Sequence, residues 1–184
     1  SKYLVEAEKL IEQLGNLKSG GAWSGDCWGY PYPWQDLNFF APSNMPNAVV
    51  TVFVCEAYLD LYDVTKNTYY LSVVSSAIQF LHNDLPILFE SDDQLCFSYI
   101  PEKKNKARVM DVSILVGALL ARFDALSSSK KHADIALKLV NYVVKRQLDS
   151  GAWYYTDPPK DSPIRHDNYH TGFILDALDR YQKF

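Results

Sequence analysis

The side chains best suited to moving protons are concentrated in one stretch, DSPIRHDNYHTG, from Asp161 to Gly172. An imidazole in the first turn of a helix meets the positive end of the helix dipole, which disfavours its cation. A neutral His170 beside the Tyr169 phenol is therefore a candidate general base and acid pair. Arg165 can clamp a carboxylate through two parallel N–H donors, and His166 is a further candidate for ligand binding. A purely structural alternative stands beside this one: Asp167 or Asn168 caps the helix and His170 bonds a neighbouring loop.

Carboxylates suggest a second kind of chemistry. Cleavage of a glycosidic bond needs two carboxyl groups about 5 to 9 Å apart across the scissile bond. Asp26 and Asp157 each follow a GAW motif within a few residues, so they are candidates to face one cavity. Asp36 is a further acid, whereas Glu56 lies mid-helix among apolar residues and suits a neighbouring helix or a water-filled centre. The chain has no Walker motif, GxSxG elbow, HExxH helix or DxDD-type acidic motif. Cys27, Cys55 and Cys96 form neither a CxxC pair nor a His/Cys metal spacing, so no metal and no cofactor are expected. An odd set of thiols fits reduced cysteines and a cytoplasmic setting.

Ligand-binding candidates come from the aromatic residues, which make up 14% of the chain. They cluster in GAWSGDCWGYPYPW from Gly21, CFSYIP from Cys96 and GAWYYTDPP from Gly151. Trp23, Trp28, Tyr30, Trp34, Phe97, Tyr99, Trp153 and Tyr155 offer flat apolar faces with polar edges, to which sugar rings are suited. The alternative is that these rings plug one end of the fold as a satellite core.

The elements that must position these groups repeat at about 60 residues. NAVVTVFVCEAYLDLY (Asn47–Tyr62), DVSILVGALLARFDAL (Asp111–Leu126) and NYHTGFILDALDRY (Asn168–Tyr181) each open on a capping residue and run through an apolar stretch. Tyr3–Leu14, Tyr69–Leu85 and His132–Gln147 are instead one-sided, with the 3.6-residue period of an amphipathic helix. Helices that are apolar nearly all round belong inside and one-sided helices outside. The expected class is all-α: repeated αα-hairpins forming an arc or partial α/α-toroid, one domain over residues 1–184. Connections from inner to outer helix are short. Those from outer to inner helix, Asn16–Pro46, Pro86–Arg108 and Asp149–Asp167, are long and must emerge on one face. The inner helices begin there, so their N-termini favour an anionic group, such as that of an acidic sugar.

Bulk properties narrow the partners. A formal charge of −4 with no Lys/Arg-rich run excludes the basic footprint of a nucleic-acid binder. No apolar run is long enough for a membrane span, and SKYLVEAEKL carries charges where a signal peptide would not. Apolar residues at 48% and charged residues at 22% are ordinary globular values.

Two stretches carry a resemblance. KRQLDSGAWYY is similar to the Q…GxW turns of the α/α-toroid superfamily, and DNYHTGFILDAL resembles the start of one of its inner helices. That superfamily includes six-hairpin glycosidases, polysaccharide lyases, the toroidal part of glucuronyl C5-epimerases, and squalene-cyclase or prenyltransferase folds. Squalene-type cyclisation lacks its acidic motif here, and the epimerase and lyase branch accords with the Tyr/His/Arg cluster. The resemblance implies a carbohydrate-active domain that binds or processes an acidic polysaccharide or sugar conjugate. A non-catalytic helical module packing against a partner domain or glycan is the alternative. Three hairpins are half of a six-hairpin ring, so the chain is expected to be a piece of a longer protein or to pair with a second copy.

Overall fold

The computed structural model describes residues 2–184. It contains six α-helices: α1 (Lys2–Asn16), α2 (Ala48–Thr65), α3 (Thr68–Asn83), α4 (Met110–Ser127), α5 (Ala133–Val144) and α6 (Asn168–Tyr181). Helix α2 packs between α1, α3 and α4, and α4 packs against α2, α3, α5 and α6. The inner row is thus α2, α4 and α6, with α1, α3 and α5 outside, an arc of α/α-toroid type.

Burial follows the sequence pattern. Every residue of α4 from Met110 to Leu120 is buried, because neighbours cover it on several sides. Helix α5 buries Ala136, Leu139, Val140, Tyr142 and Val143 and leaves Asp134 and Leu137 exposed. Helix α6 departs from the expectation for an inner helix. Only Ile174 and Ala177 are buried in it, and α4 is its main helical neighbour.

Helix starts are capped at two of the three inner helices. The Asn47 side chain accepts the Val50 N–H at 2.8 Å, and Asp167 accepts the His170 N–H at 2.7 Å. Each such cap is worth about 1 kcal/mol. Asp111, expected to cap α4, does not. Helix α4 begins at Met110, so its N-cap position falls two residues before Asp111, at Val109, without a side-chain cap. The reason lies next door: strand β5 (Arg108–Val109) runs straight into the helix, and the Met110 N–H donates to the Tyr155 carbonyl at 2.9 Å. Asp167 rather than Asn168 is the cap of α6.

The short inner-to-outer turns close on left-handed residues, Lys66 (φ 56°) and Ser128 (φ 55°), whose N–H groups bond the Tyr62 and Asp124 carbonyls. The long connections are not purely irregular. They carry three two-stranded antiparallel sheets: β1 (Trp34–Gln35) with β2 (Phe40–Ala41), β3 (Ile87–Glu90) with β4 (Leu95–Phe97), and β5 with β6 (Thr156–Asp157). The last pair ties the second long connection to the third. The first connection is pinned to α3, where a Cβ at Gly25 would meet the Ser76 carbonyl oxygen at 1.8 Å. Only glycine fits there. Among the described residues no helix is long and apolar enough to cross a membrane.

Candidate active site

A cleft of about 660 Å³ opens where the three inner helices begin. Helix α2 contributes Val49, Val50 and Phe53, α4 contributes Asp111, and α6 contributes Tyr169, His170 and Phe173. Tyr30, Trp34, Gln35, Asp36 and Leu37 come from the first long connection, Tyr99 from the second, and Tyr155 and Ile164 from the third. All three long connections therefore meet at one cleft, on the face that their lengths predicted.

Counting from each N-cap explains the lining. Val49, Asp111 and Tyr169 each lie two residues beyond the N-caps Asn47, Val109 and Asp167, and all three line the cleft. Equivalent positions of the repeat thus present an apolar group, an acid and a phenol to the same space.

His170 is held from one side. Its Nδ1 lies 2.9 and 2.8 Å from the two carboxylate oxygens of Asp167. A carboxylate at Nδ1 keeps a proton on that nitrogen, so Nε2 of the neutral ring is the one available to a ligand. The Tyr155 ring packs on the imidazole at 4.5 Å between centroids, and Tyr169 meets it edge-on at 5.5 Å. Partial burial opposes ionisation of Asp167, but bonds from the His170 N–H and ring outweigh it and hold the carboxyl below the usual range.

Asp111 is the opposite case. It is 3% exposed, and burial pushes its carboxyl up to about 6, against a downward pull from His170 and the backbone N–H groups of Asp111 and Val112. Tyr155 donates to Oδ2 of Asp36 at 2.7 Å, and the Tyr30 and Tyr99 hydroxyls are 3.3 Å apart. Burial raises all three phenols above their usual range, so they act as neutral hydrogen-bonding groups near neutral pH. Among the described residues no group of His, Cys, Asp and Glu is arranged to hold a metal ion.

Other residues singled out in the sequence lie elsewhere. Trp28 (2% exposed), Phe97 and Trp153 (3% exposed) are core residues rather than cleft walls. Trp28 Nε1 donates to the Leu14 carbonyl at 2.7 Å, and Trp153 Nε1 donates to the Val143 carbonyl at 2.9 Å. Each indole therefore adds a second donor to a carbonyl in the last turn of an outer helix, which also accepts the Leu17 or Arg146 backbone N–H. Trp23 stacks edge-on against Phe80 at 6.0 Å, on α3. Asp26 pairs with Lys18 at 2.8 Å. Asp157 pairs with Arg146 at 3.0 Å and Arg108 at 3.2 Å and accepts from Tyr142 at 2.9 Å. Neither acid lines the cleft, so they do not form the carboxyl pair that their GAW motifs suggested. Arg165 and His166 are exposed and outside the lining, with His166 against the Tyr154 ring at 4.8 Å. Glu56 faces neighbouring helices, bonded to Arg122 at 2.5 Å and near Arg180 at 3.4 Å.

Sequence reasoning passed over Asp111, Phe53 and Phe173 and gave Asp167 only a capping role. Val109 carries no capping side chain, so nothing in the sequence marks the start of α4 or places Asp111 in register with Tyr169.

The sequence matches no protein-family profile and no curated protein. Among solved structures, the chain is similar to a D-mannose isomerase at 15% identity and a TM-score of 0.63, over 97% of this chain and 50% of that one. It is also similar to a possible member of the GH105 family from Salmonella enterica serovar Paratyphi A, at 16% identity and a TM-score of 0.54, over 72% of this chain and 38% of that one. The likeness is one of fold, the α/α-toroid type. The chain spans half or less of the length of these two structures.

Proposed function

We propose that the cleft binds a sugar ring and that His170, oriented by Asp167, exchanges a proton with it. The observation that carries this reading is the imidazole itself. Its Nδ1 is committed to Asp167 at 2.8 Å, while the ring stands in an aromatic cleft built by all three long connections. An imidazole fixed in one tautomer by a carboxylate is an arrangement for general acid–base work. The walls suit the ligand class: Tyr30 and Trp34 lie 5.5 Å apart between centroids, offering apolar faces with polar edges. Likeness of fold to a D-mannose isomerase supports a sugar as the ligand.

The charge of the lining favours an uncharged, hydroxyl-rich face of the sugar. Asp36 and Asp111 line the cleft and, among the described residues, no Lys or Arg does. An acidic polysaccharide or sugar conjugate is the second reading. The N-termini of three inner helices at the cleft favour it, since the positive ends of their dipoles attract carboxylates. On either reading the three hairpins act as one domain over residues 1–184. Cys27, Cys55 and Cys96, all buried and unpaired, support a reducing, cytoplasmic setting.

Titration of the wild-type protein with a panel of neutral monosaccharides and their uronates, followed by NMR, tests the proposal. Saturable binding of at least one sugar that His170→Ala weakens supports it. A panel without a binder overturns it.

A further inference from the structure

Helix α4 reaches the cleft through one side chain. Asp111 sits in its first turn, 3% exposed, and lines the cleft. The backbone N–H groups of Asp111 and Val112 stabilise its carboxylate, but among the described residues Oδ1 has no hydrogen-bond partner. A buried carboxylate oxygen without a donor is costly, and such atoms call for a partner. Nearby protein donors are largely committed elsewhere, the Tyr30 and Tyr99 hydroxyls to each other at 3.3 Å. Helix α2 presents only apolar groups, Val49, Val50 and Phe53, while the Tyr155 hydroxyl is committed to Asp36. His170 Nδ1 is committed to Asp167.

We propose that Asp111 is the polar anchor of the sugar cleft, its Oδ1 accepting a hydrogen bond from a ligand hydroxyl at the N-terminus of α4. This inference rests on the sugar reading above. A hydroxyl is the matching group, because it donates to a carboxylate and carries no charge to be repelled by Asp36 or Asp111. The anchor stands on the neighbouring inner helix to His170, so a ligand bonded to Asp111 is also presented to the imidazole.

The assignment has a pH signature. Groups facing Asp111 are His170 and Asp167 on α6, Tyr155 on the third connection, Tyr30 and Asp36 on the first, and Tyr99 on the second. With its carboxyl pushed up to about 6, Asp111 is ionised above that pH and protonated below it. A hydroxyl donating to Oδ1 favours the ionised form. Binding therefore lowers the Asp111 pKa, releases protons near pH 6, and weakens as the pH falls through that value.

The experiment combines two measurements. Binding of neutral monosaccharides (D-mannose, D-glucose, D-galactose and N-acetyl-D-glucosamine) and of D-glucuronate is measured for wild type and Asp111→Asn, at about pH 5 and about pH 8. The Asp111 carboxyl carbon is also titrated by NMR in the wild type with and without the sugar that binds, which needs no variant to fold. The expected result is a neutral sugar bound more tightly at the higher pH. Asp111→Asn should weaken it about tenfold at that pH and abolish the pH dependence, and the wild-type Asp111 pKa should fall on binding. Equal affinity and pH dependence in Asp111→Asn, or an unmoved Asp111 pKa, overturns the anchor and leaves the sugar reading standing. Tighter binding of glucuronate at the lower pH, with proton uptake, also overturns the hydroxyl acceptor. No sugar binding in the wild type overturns the sugar reading and the anchor together.

Discussion

His170 and Asp167 are joined twice: the carboxylate accepts the backbone N–H of His170 at 2.7 Å and meets its ring Nδ1 at 2.8 Å. One side chain thus starts helix α6 and fixes the imidazole, coupling the fold of the third hairpin to the chemistry of the cleft.

Replacing Asp167 separates these roles. Asp167→Asn keeps a good capping oxygen but loses the charge at Nδ1, whereas Asp167→Ala loses both. Asp167→Ala should cost about 1 kcal/mol in thermal unfolding and Asp167→Asn much less. Both should alter the tautomer of His170, read from its ring nitrogen shifts. The Asp167 carboxyl is held below its usual range, so its contribution is present above the unfolded-state value of about 4 and is lost as pH falls through the folded value. A wild-type advantage over Asp167→Asn that grows on acidification would contradict this.

Asp111 predicts the opposite pH trend. Its folded-state value, about 6, exceeds the unfolded value of about 4, so the native state holds more protons between them. Its contribution to stability therefore falls as pH rises through that window. Asp111→Asn removes the buried charge and should raise stability at neutral pH, by on the order of 2 kcal/mol, with the gain disappearing near pH 4. Thermal unfolding across pH measures this, and a variant less stable than wild type at pH 7 would refute it.

The loop tryptophans should divide by role. Trp34 is 40% exposed, so Trp34→Ala should leave the unfolding temperature nearly unchanged and weaken sugar binding. Trp28→Ala and Trp153→Ala empty core sites and remove one of the two donors to the Leu14 and Val143 carbonyls, costing about 3 to 5 kcal/mol each. Equal stability losses at all three positions would show that the division is wrong.

On the opposite side of the inner row, Arg122 bonds Glu56 at 2.5 Å and Asp60 and Asp63 at 2.8 Å each. Glu56 is 6% exposed, and Arg180 lies 3.4 Å away. Arg122→Ala leaves a buried carboxylate with a weaker partner and should destabilise by about 3 kcal/mol, as seen in denaturant unfolding. Glu56→Gln with Arg122→Met should recover part of that loss. Failure of the double variant to gain over Arg122→Ala would count against the pair as the cause.

Much of the fold was legible because helical periodicity survives over a dozen residues or more. The apolar circumference of α4 and the one-sided α5 mark inner and outer positions without further information. The two-residue strands β1, β2, β5 and β6 are too short to show alternation, so neither the hairpin within the first connection nor the tie between the second and third was visible. The cleft was legible by location and by His170, Tyr169, Trp34, Tyr30, Tyr99 and Tyr155. It was not legible by which tryptophan faces outward. Trp23 and Trp153 share a GAW motif, yet one lies on α3 and the other bonds the end of α5. Asp111 was hidden because a strand, not a side chain, takes the start of α4.

The most direct test of a sugar cleft at the inner-helix N-termini is an NMR titration of the wild-type protein with neutral sugars and uronates, following the four indole N–H signals and the His170 ring. The Trp34 indole and the His170 Nε2 signal should shift together and saturate at one affinity, while the Trp28 and Trp153 indoles stay in place. Shifts confined to Trp28 or Trp153, or no saturable shift with any sugar, would contradict it.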